Sequence, residues 1–237
     1  MILRGHEITK IFGGLIALNN VSFGLKEKEI IGLIGPNGAG KTTLINIITG
    51  FLKPEKGKIF YNGLNITGYK PNEICKLGIN RTFQIPTCFP NMTVKENIAI
   101  GLLFNKRNKI NPEERIKELA EFCGLSSKLN SLAMNLNTSE LKRLDLARAL
   151  ATDPKILLLD EFFTGLNTEQ ADQYIKLLNN IREEGVTLMV VEHNMRIINK
   201  LSERVIVLDF GKKIAEGTSE EIMRNEAVIN AYLGKVH

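Results

Sequence analysis

Cysteine is scarce in this sequence: Cys75, Cys88 and Cys123 stand apart, with no CxxC pair and an odd count. That arithmetic argues against a disulfide framework and reads most simply as free thiols in a reducing compartment. Neither cysteine nor histidine shows metal-ligand spacing, which argues against a structural metal site. Long apolar runs are also lacking. The longest are Ile98 to Phe104, Ile156 to Leu159 and Leu188 to Val191. All fall well short of the roughly 18 residues of a membrane span and suit core helix or buried strand. Met1 to His6 lacks the basic-then-apolar pattern of a secretory signal, so a cytoplasmic address is expected by elimination. No internal repeat and no low-complexity segment is visible.

What is present is ordinary for a globular protein: 237 residues, 43% hydrophobic and 24% charged, enough for one large domain or one core carrying a lobe. The net charge of +5 leaves nucleic acid, anionic lipid or a phosphorylated ligand open as partners. The basic residues are dispersed, however, and only Lys106, Arg107 and Lys109 cluster, which fits a solvated face.

Short apolar runs alternate with helical patterns. Glu29 to Gly35, Lys155 to Asp160 and Val186 to Glu192 read as buried strands. Lys41 to Thr49, closed by Gly50, and Thr168 to Glu184, stopped by Gly185, read as helices. Arg204 to Asp209 and Lys212 to Glu216 form an expected hairpin around Phe210-Gly211, and Ser219 opens a helix with an acidic first turn. Continuous apolar strands separated by helices imply an α/β fold with a mostly parallel sheet covered on both faces. Ile2 to Ile8, Ile16 to Leu25 and Lys58 to Asn62 suggest a small antiparallel N-terminal β lobe, turning at Gly13-Gly14. The stretch from Val94 to Leu150 reads as a helical insert, with helices at Val94 to Leu103, Pro112 to Cys123 and Glu140 to Ala151.

The strongest chemical signal is the run Gly35, Pro36, Asn37, Gly38, Ala39, Gly40, Lys41, Thr42, which fits the GxxxxGK[ST] phosphate loop between a strand and a helix. Glycines let several backbone N–H groups turn inward around phosphate oxygens. The following helix points its positive end at the same anion. Lys41 supplies charge for the β and γ phosphates, the Thr42 hydroxyl suits Mg²⁺, and Thr43 completes the candidate binding set. The strand ending in Asp160-Glu161 places two carboxylates where α/β ligand crevices open. Asp160 suits Mg²⁺ through water, and Glu161 suits polarisation of an attacking water. His193 follows a third strand; an ordinary loop residue is the plain alternative to an imidazole donor near the γ phosphate.

Taken in order, the phosphate loop, Gln84, helical insert, acidic strand end and His193 resemble ABC-transporter ATPase subunits over nearly the whole chain. Phe12 to Leu18, Asn80 to Gln84, Ala147 to Thr152, Gly165 to Asn167, Val191 to Met195 and Ala231 to Gly234 look like the branched-chain amino-acid importer subgroup. The resemblance implies a P-loop NTPase (RecA-like) core, with β lobe and α/β core at about 1–84 and 152–237 and a helical subdomain at about 85–151. It implies ATP and Mg²⁺ as cofactors, Phe12 stacked on adenine, and Gln84 contacting Mg²⁺ or water. Lys41, Gln84, Glu161 and His193 become the candidate catalytic groups; Thr42, Gln84 and Asp160 become the candidate metal groups. It implies a second ATPase subunit, transmembrane permease subunits and, indirectly, a solute-binding protein, at the cytoplasmic face of the membrane and without nucleic acid. Urea or another small polar solute stays open beside branched-chain amino acids. A nucleotide-dependent dimerising module with weak hydrolysis is the reading from another class.

The weak hydrolysis would come from Leu136, Asn137, Thr138, Ser139 and Glu140, where the family carries a loop resembling LSGGQ that caps the partner's ATP. Without glycine, Ser139 resists a left-handed backbone by about 1 kcal/mol or more. Glu140 adds a negative charge if it points at the γ phosphate, and Thr138 reads equally as a plain helix cap. Phe162 stands where the family usually has proline, followed by Phe163, a pair that either meets the partner or fills the local core.

Overall fold

In the computed structural model, residues 1–105 and 111–233 are described. The basic cluster Lys106, Arg107 and Lys109, and Gly234 of the last subgroup match, lie outside them. Two sheets organise the chain. An antiparallel sheet has the order β2-β1-β4-β5, built from β1 (Leu3–Phe12), β2 (Leu15–Leu25), β4 (Lys56–Tyr61) and β5 (Leu64–Asn65). The six-stranded sheet runs β10-β9-β3-β8-β7-β6. Its members are β3 (Ile30–Ile34), β6 (Ile79–Arg81), β7 (Ile156–Asp160), β8 (Thr187–Val191), β9 (Arg204–Asp209) and β10 (Lys212–Gly217). All its pairings are parallel except β9 with β10.

The central strands are buried at every residue, because helices or the β lobe cover both faces. Side chains alternate between two cores as the period of two requires. Leu157, Leu159, Leu188 and Val190 face a core shared with α6 (Thr168–Glu183) and with the helices α3 (Val94–Leu102), α4 (Pro112–Phe122) and α5 (Thr138–Ala151). Ile156, Leu158, Met189 and Val191 face the opposite core, with α1 (Lys41–Ile48) and the β lobe. The helical stretch is therefore packed on one sheet face and shares its core.

Several boundaries differ from the sequence expectation. β1 runs on past Ile8 to Phe12, pairing Phe12 with Leu15 across Gly13-Gly14. β6, between α2 (Pro71–Leu77) and the loop carrying Gln84, went unanticipated: three residues with two polar members carry no strand pattern. The helices α7 (Met195–Leu201) and α9 (Glu226–Leu233), which flank α8 (Ser219–Arg224) in sequence, were also not anticipated.

Close approach governs the α3–α5 contact. A Cβ built on Gly101 would lie 2.5 Å from the Arg148 carbonyl oxygen and 2.6 Å from the Ala151 Cβ. Gly101→Ala is therefore expected to push α3 off α5 and destabilise the protein by roughly 1–3 kcal/mol. Urea denaturation checks this, and an unchanged midpoint would contradict the packing described.

Candidate functional site

Parallel pairing sends β3, β6, β7, β8 and β9 out of the sheet at one edge. β8 flanks β3 on one side and β9 on the other, so the chain leaves β3 at the point where the strand order switches. The phosphate loop begins there. Gly35 has φ 150°, Gly38 φ 78° and Gly40 φ 101°. A Cβ at Gly35 would sit 2.1 Å from the Leu208 carbonyl oxygen, so that position needs glycine for space as well as for angle. Gly40 caps α1 without a side chain, leaving the first-turn N–H groups with no side-chain partner. Lys41 is buried, and its Nζ donates to the carbonyls of Gly35 (2.7 Å) and Pro36 (2.9 Å). Burial pushes its pKa down, while Glu161 and Asp160 pull it back up.

A cavity of about 350 Å³ opens over this loop. Asn37, Gly38, Ala39, Gly40, Lys41, Thr42 and Thr43 form one end; Phe12, Leu15, Ile16 and Phe210 form the other, with Glu161 also on the wall. Phe12 is partly exposed, and the Lys10 ammonium lies 5.1 Å from its ring centroid.

Asp160, the last residue of β7, is 3% exposed, and its Oδ2 accepts from Arg81 at 3.0 Å. Its other oxygen, Oδ1, is buried without a hydrogen-bond partner. Burial pushes the Asp160 pKa up, against the pull of Arg81. Arg81 also donates to Asn46 and lies 4.6 Å over the Phe83 ring, so β6 holds Asp160 firmly. Glu161 turns out of the strand at φ 49°, an uncommon angle for a side chain of its size. Its Oε2 accepts from Gln84 Nε2 at 2.6 Å, which brings two of the sequence candidates together directly.

The loop carrying Gln84 is held from below by α5. Asp145 accepts from the backbone N–H of Phe83 (3.3 Å) and is also stabilised by the Thr87 backbone. Arg148 donates to the Thr87 carbonyl. Burial pushes the Asp145 pKa up to about 6. Neither residue drew a role from sequence; Arg148 stood inside a quoted family match, but nothing in the pattern said what it holds.

His193 lies two residues past β8, exposed and off the wall of the main cavity. The residue before it, Glu192, is buried and accepts from the Phe163 N–H at 2.8 Å; Lys142 donates to the Phe162 carbonyl at 2.5 Å. Phe162 and Phe163 are 2% and 4% exposed and meet Tyr174 edge to face, so they fill the core.

The stretch from Asn137 to Glu140 differs from expectation. The cap of α5 is Asn137, not Thr138: its side chain accepts from the Glu140 N–H (2.9 Å), and Glu140 returns a carboxylate to the Asn137 N–H (2.9 Å). Thr138 and Ser139 are helical, so no left-handed angle is demanded and the expected strain is absent. Glu140 is engaged locally and also pairs with Lys128 at 3.3 Å. These residues line a second cavity of about 370 Å³ with Gly165, Leu166 and Gln170.

A glycine loop between a central strand and a helix, with an acidic strand end beside it, defines a P-loop nucleotide-binding ATPase. Residues 18–164 match the family described as ABC transporter, and residues 212–237 match the one described as branched-chain amino acid ATP-binding cassette transporter. The chain belongs to the ABC transporter family and is an ATP-binding ATPase coupled to transport. It is 39% identical over 245 residues to the probable branched-chain amino acid transport ATP-binding protein LivG of Archaeoglobus fulgidus, covering 98% of this chain and 95% of that one. Among solved structures it is similar to an ATP-binding cassette of an ABC transporter in its ADP conformation (TM-score 0.88, 32% identity, 99% of each chain). It is also similar to a bacterial ABC transporter cassette solved as a dimer (TM-score 0.82, 29% identity, 92% of this chain and 98% of that one).

The Asp145 pKa has a stability consequence. Because it is raised from 3.8 to about 6, the unfolded chain ionises first as pH rises, and the native state loses stability between those values. Asp145→Asn lacks that loss. The stability of the variant relative to the wild type should therefore rise from pH 4 to pH 6 by on the order of 1–3 kcal/mol and then level off. Thermal unfolding across that range checks it; a difference independent of pH would contradict it.

Proposed function

We propose that this chain is the ATP-hydrolysing subunit of an importer for branched-chain amino acids. The match of residues 212–237 to the family described by that solute is the observation that carries the solute class, and the names of the full-length relatives support it. Membership in a transport family supports a peripheral subunit on the cytoplasmic face of the membrane; no helix among the described residues is long and apolar enough to cross a membrane. It would pair head to tail with a second ATPase subunit, and the dimeric neighbour supports pairing as such; residues 85–151 would form the helical subdomain that meets the permease. The β lobe and α/β core, about 1–84 and 152–237, would hold the nucleotide. A solute-binding protein would feed the permease from the other side.

In this reading the loop from Gly35 to Thr43 binds the triphosphate through backbone amides and Lys41, whose ammonium exchanges the Gly35 and Pro36 carbonyls for phosphate oxygens. Phe12 takes the adenine. Glu161 orients the attacking water, with Gln84 fixing the carboxylate, and His193 would reach the γ phosphate when the pair closes. Magnesium fits the donor set. Asp160 keeps an unpartnered buried oxygen, and Thr42 and Gln84 add neutral oxygens, all hard ligands suited to this ion. There it would neutralise charge on the phosphates. Catalysis is positioning and charge stabilisation, closing the pair with ATP and releasing it on hydrolysis.

The slow-hydrolysing alternative has one observation in its favour: Asn137 and Glu140 cap each other, so the start of α5 offers the partner's phosphate fewer free amides. That handicap would fall on the partner's site only. Asn137→Gly combined with Glu140→Ala, which frees those two amides, should then raise turnover in the assembled pair and leave the isolated chain unchanged; no gain in the pair would contradict it.

Glu161→Gln should retain ATP and lose at least about 100-fold in turnover, read as single-turnover hydrolysis by the assembled complex. In vesicles carrying the permease and solute-binding protein, leucine, isoleucine or valine should stimulate hydrolysis. Stimulation by urea alone would overturn the solute assignment.

A further inference from the structure

Four of the five parallel strand ends at the site edge now carry a role; the end of β9 does not. It runs into a two-residue turn, with Asp209 paired to Lys212 and Phe210-Gly211 between them. Both central residues have positive φ, 40° at Phe210 and 73° at Gly211. Hairpin turns with that pattern favour Asn-Gly or Asp-Gly, because an ordinary side chain at the first position is strained. A bulky aromatic there is a backbone outlier. The ring is also 86% exposed and belongs to none of the apolar cores. Strain and exposed apolar surface thus fall on one residue, with no compensation inside the chain.

The turn itself is firmly seated. The Gly211 N–H donates to the Ala39 carbonyl at 3.1 Å, and the Gly211 carbonyl accepts from the Asn19 N–H at 2.7 Å. A Cβ on Gly211 would lie 2.7 Å from the Ala17 carbonyl oxygen, so the contact with β2 is close. The turn is bonded at once to the phosphate loop and to the β lobe, which puts Phe210 on the wall of the main cavity beside Phe12, Leu15 and Ile16. That cavity is divided: amides, hydroxyls and one ammonium at one end, aromatic and aliphatic carbon at the other. A nucleoside triphosphate has the same division, an anionic tail and a flat π face.

We propose that Phe210 is a nucleotide-contacting residue, which with Phe12 forms the apolar end of the cavity and packs against the base of bound ATP. The proposal rests on the reading that this cavity holds the nucleotide. It also accounts for the choice of residue: asparagine would suit the turn better and the base worse.

Stability and affinity should therefore move in opposite directions in Phe210→Asn. The thermal midpoint of the nucleotide-free variant should equal or exceed that of the wild type. Its affinity for MgATP, by calorimetric titration of the purified full chain, should fall roughly 5- to 50-fold, in line with loss of one base–aromatic contact. Its affinity for inorganic tripolyphosphate, which has no base, should stay at the wild-type value. Unchanged MgATP affinity in Phe210→Asn, with Lys41→Ala binding weakly, would overturn the role of Phe210 while leaving the phosphate site standing. Equal losses for MgATP and tripolyphosphate would also overturn it, by showing that the ring acts through the loop. Failure of the wild type to bind MgATP would instead remove the underlying reading.

Discussion

A parallel sheet releases every one of its strands at the same edge, and that constraint makes this site. Residues from β3, β6, β7, β8 and β9 lie up to about 180 positions apart in sequence, yet hydrogen-bonded pairing leaves their C-terminal ends side by side. In the proposed reading each end contributes its own chemistry: amides and an ammonium after β3, an amide side chain after β6, two carboxylates at β7, an aromatic ring after β9 and, once the pair closes, an imidazole after β8. The apolar alternation within β7 and β8 matters to function for this reason. It fixes which core each strand faces, and so fixes which groups emerge at the edge.

Buried polar contacts set the detail. Arg81 neutralises one oxygen of Asp160 and leaves the other without a partner, an arrangement that costs stability unless something else occupies it. Gln84 is tied to Glu161, while its loop is tied through Asp145 and Arg148 to α5. The start of that same helix carries Asn137 to Glu140, so one helix supports this chain's own site with its middle and presents its N-terminus elsewhere. Motion of α5 would thus bear on the loop carrying Gln84.

Much of the architecture was legible beforehand where a residue pattern has one physical meaning. Continuous apolar runs marked β3, β7 and β8; Gly50 and Gly185 marked helix ends; and the GxxxxGK[ST] spacing between a strand and a helix marked the candidate phosphate loop. What stayed hidden depended on tertiary partners. β6 has three residues and is a strand only because β7 lies beside it. In the LSGGQ-like stretch the missing glycines suggest strain and Thr138 suggests a plain cap; the helix start is plain, capped one residue earlier by Asn137 and Glu140, and needs no glycine. Asp145 looks like any polar residue on a helix until the Phe83 N–H is placed above it. Phe162 and Phe163 could face a partner or the core on paper; Tyr174 decides for the core.

In the proposed reading, backbone amides from Asn37 to Thr43 hold the phosphates of a nucleotide. Amide hydrogen exchange of the purified chain, with and without MgATP, tests it most directly. Exchange in the peptide spanning Gly35 to Leu44 should slow markedly on nucleotide addition, with little change from Asn137 to Glu140 in the unpaired chain. Equal exchange of the Gly35 to Leu44 amides with and without saturating MgATP would mean that these amides do not hold the phosphates.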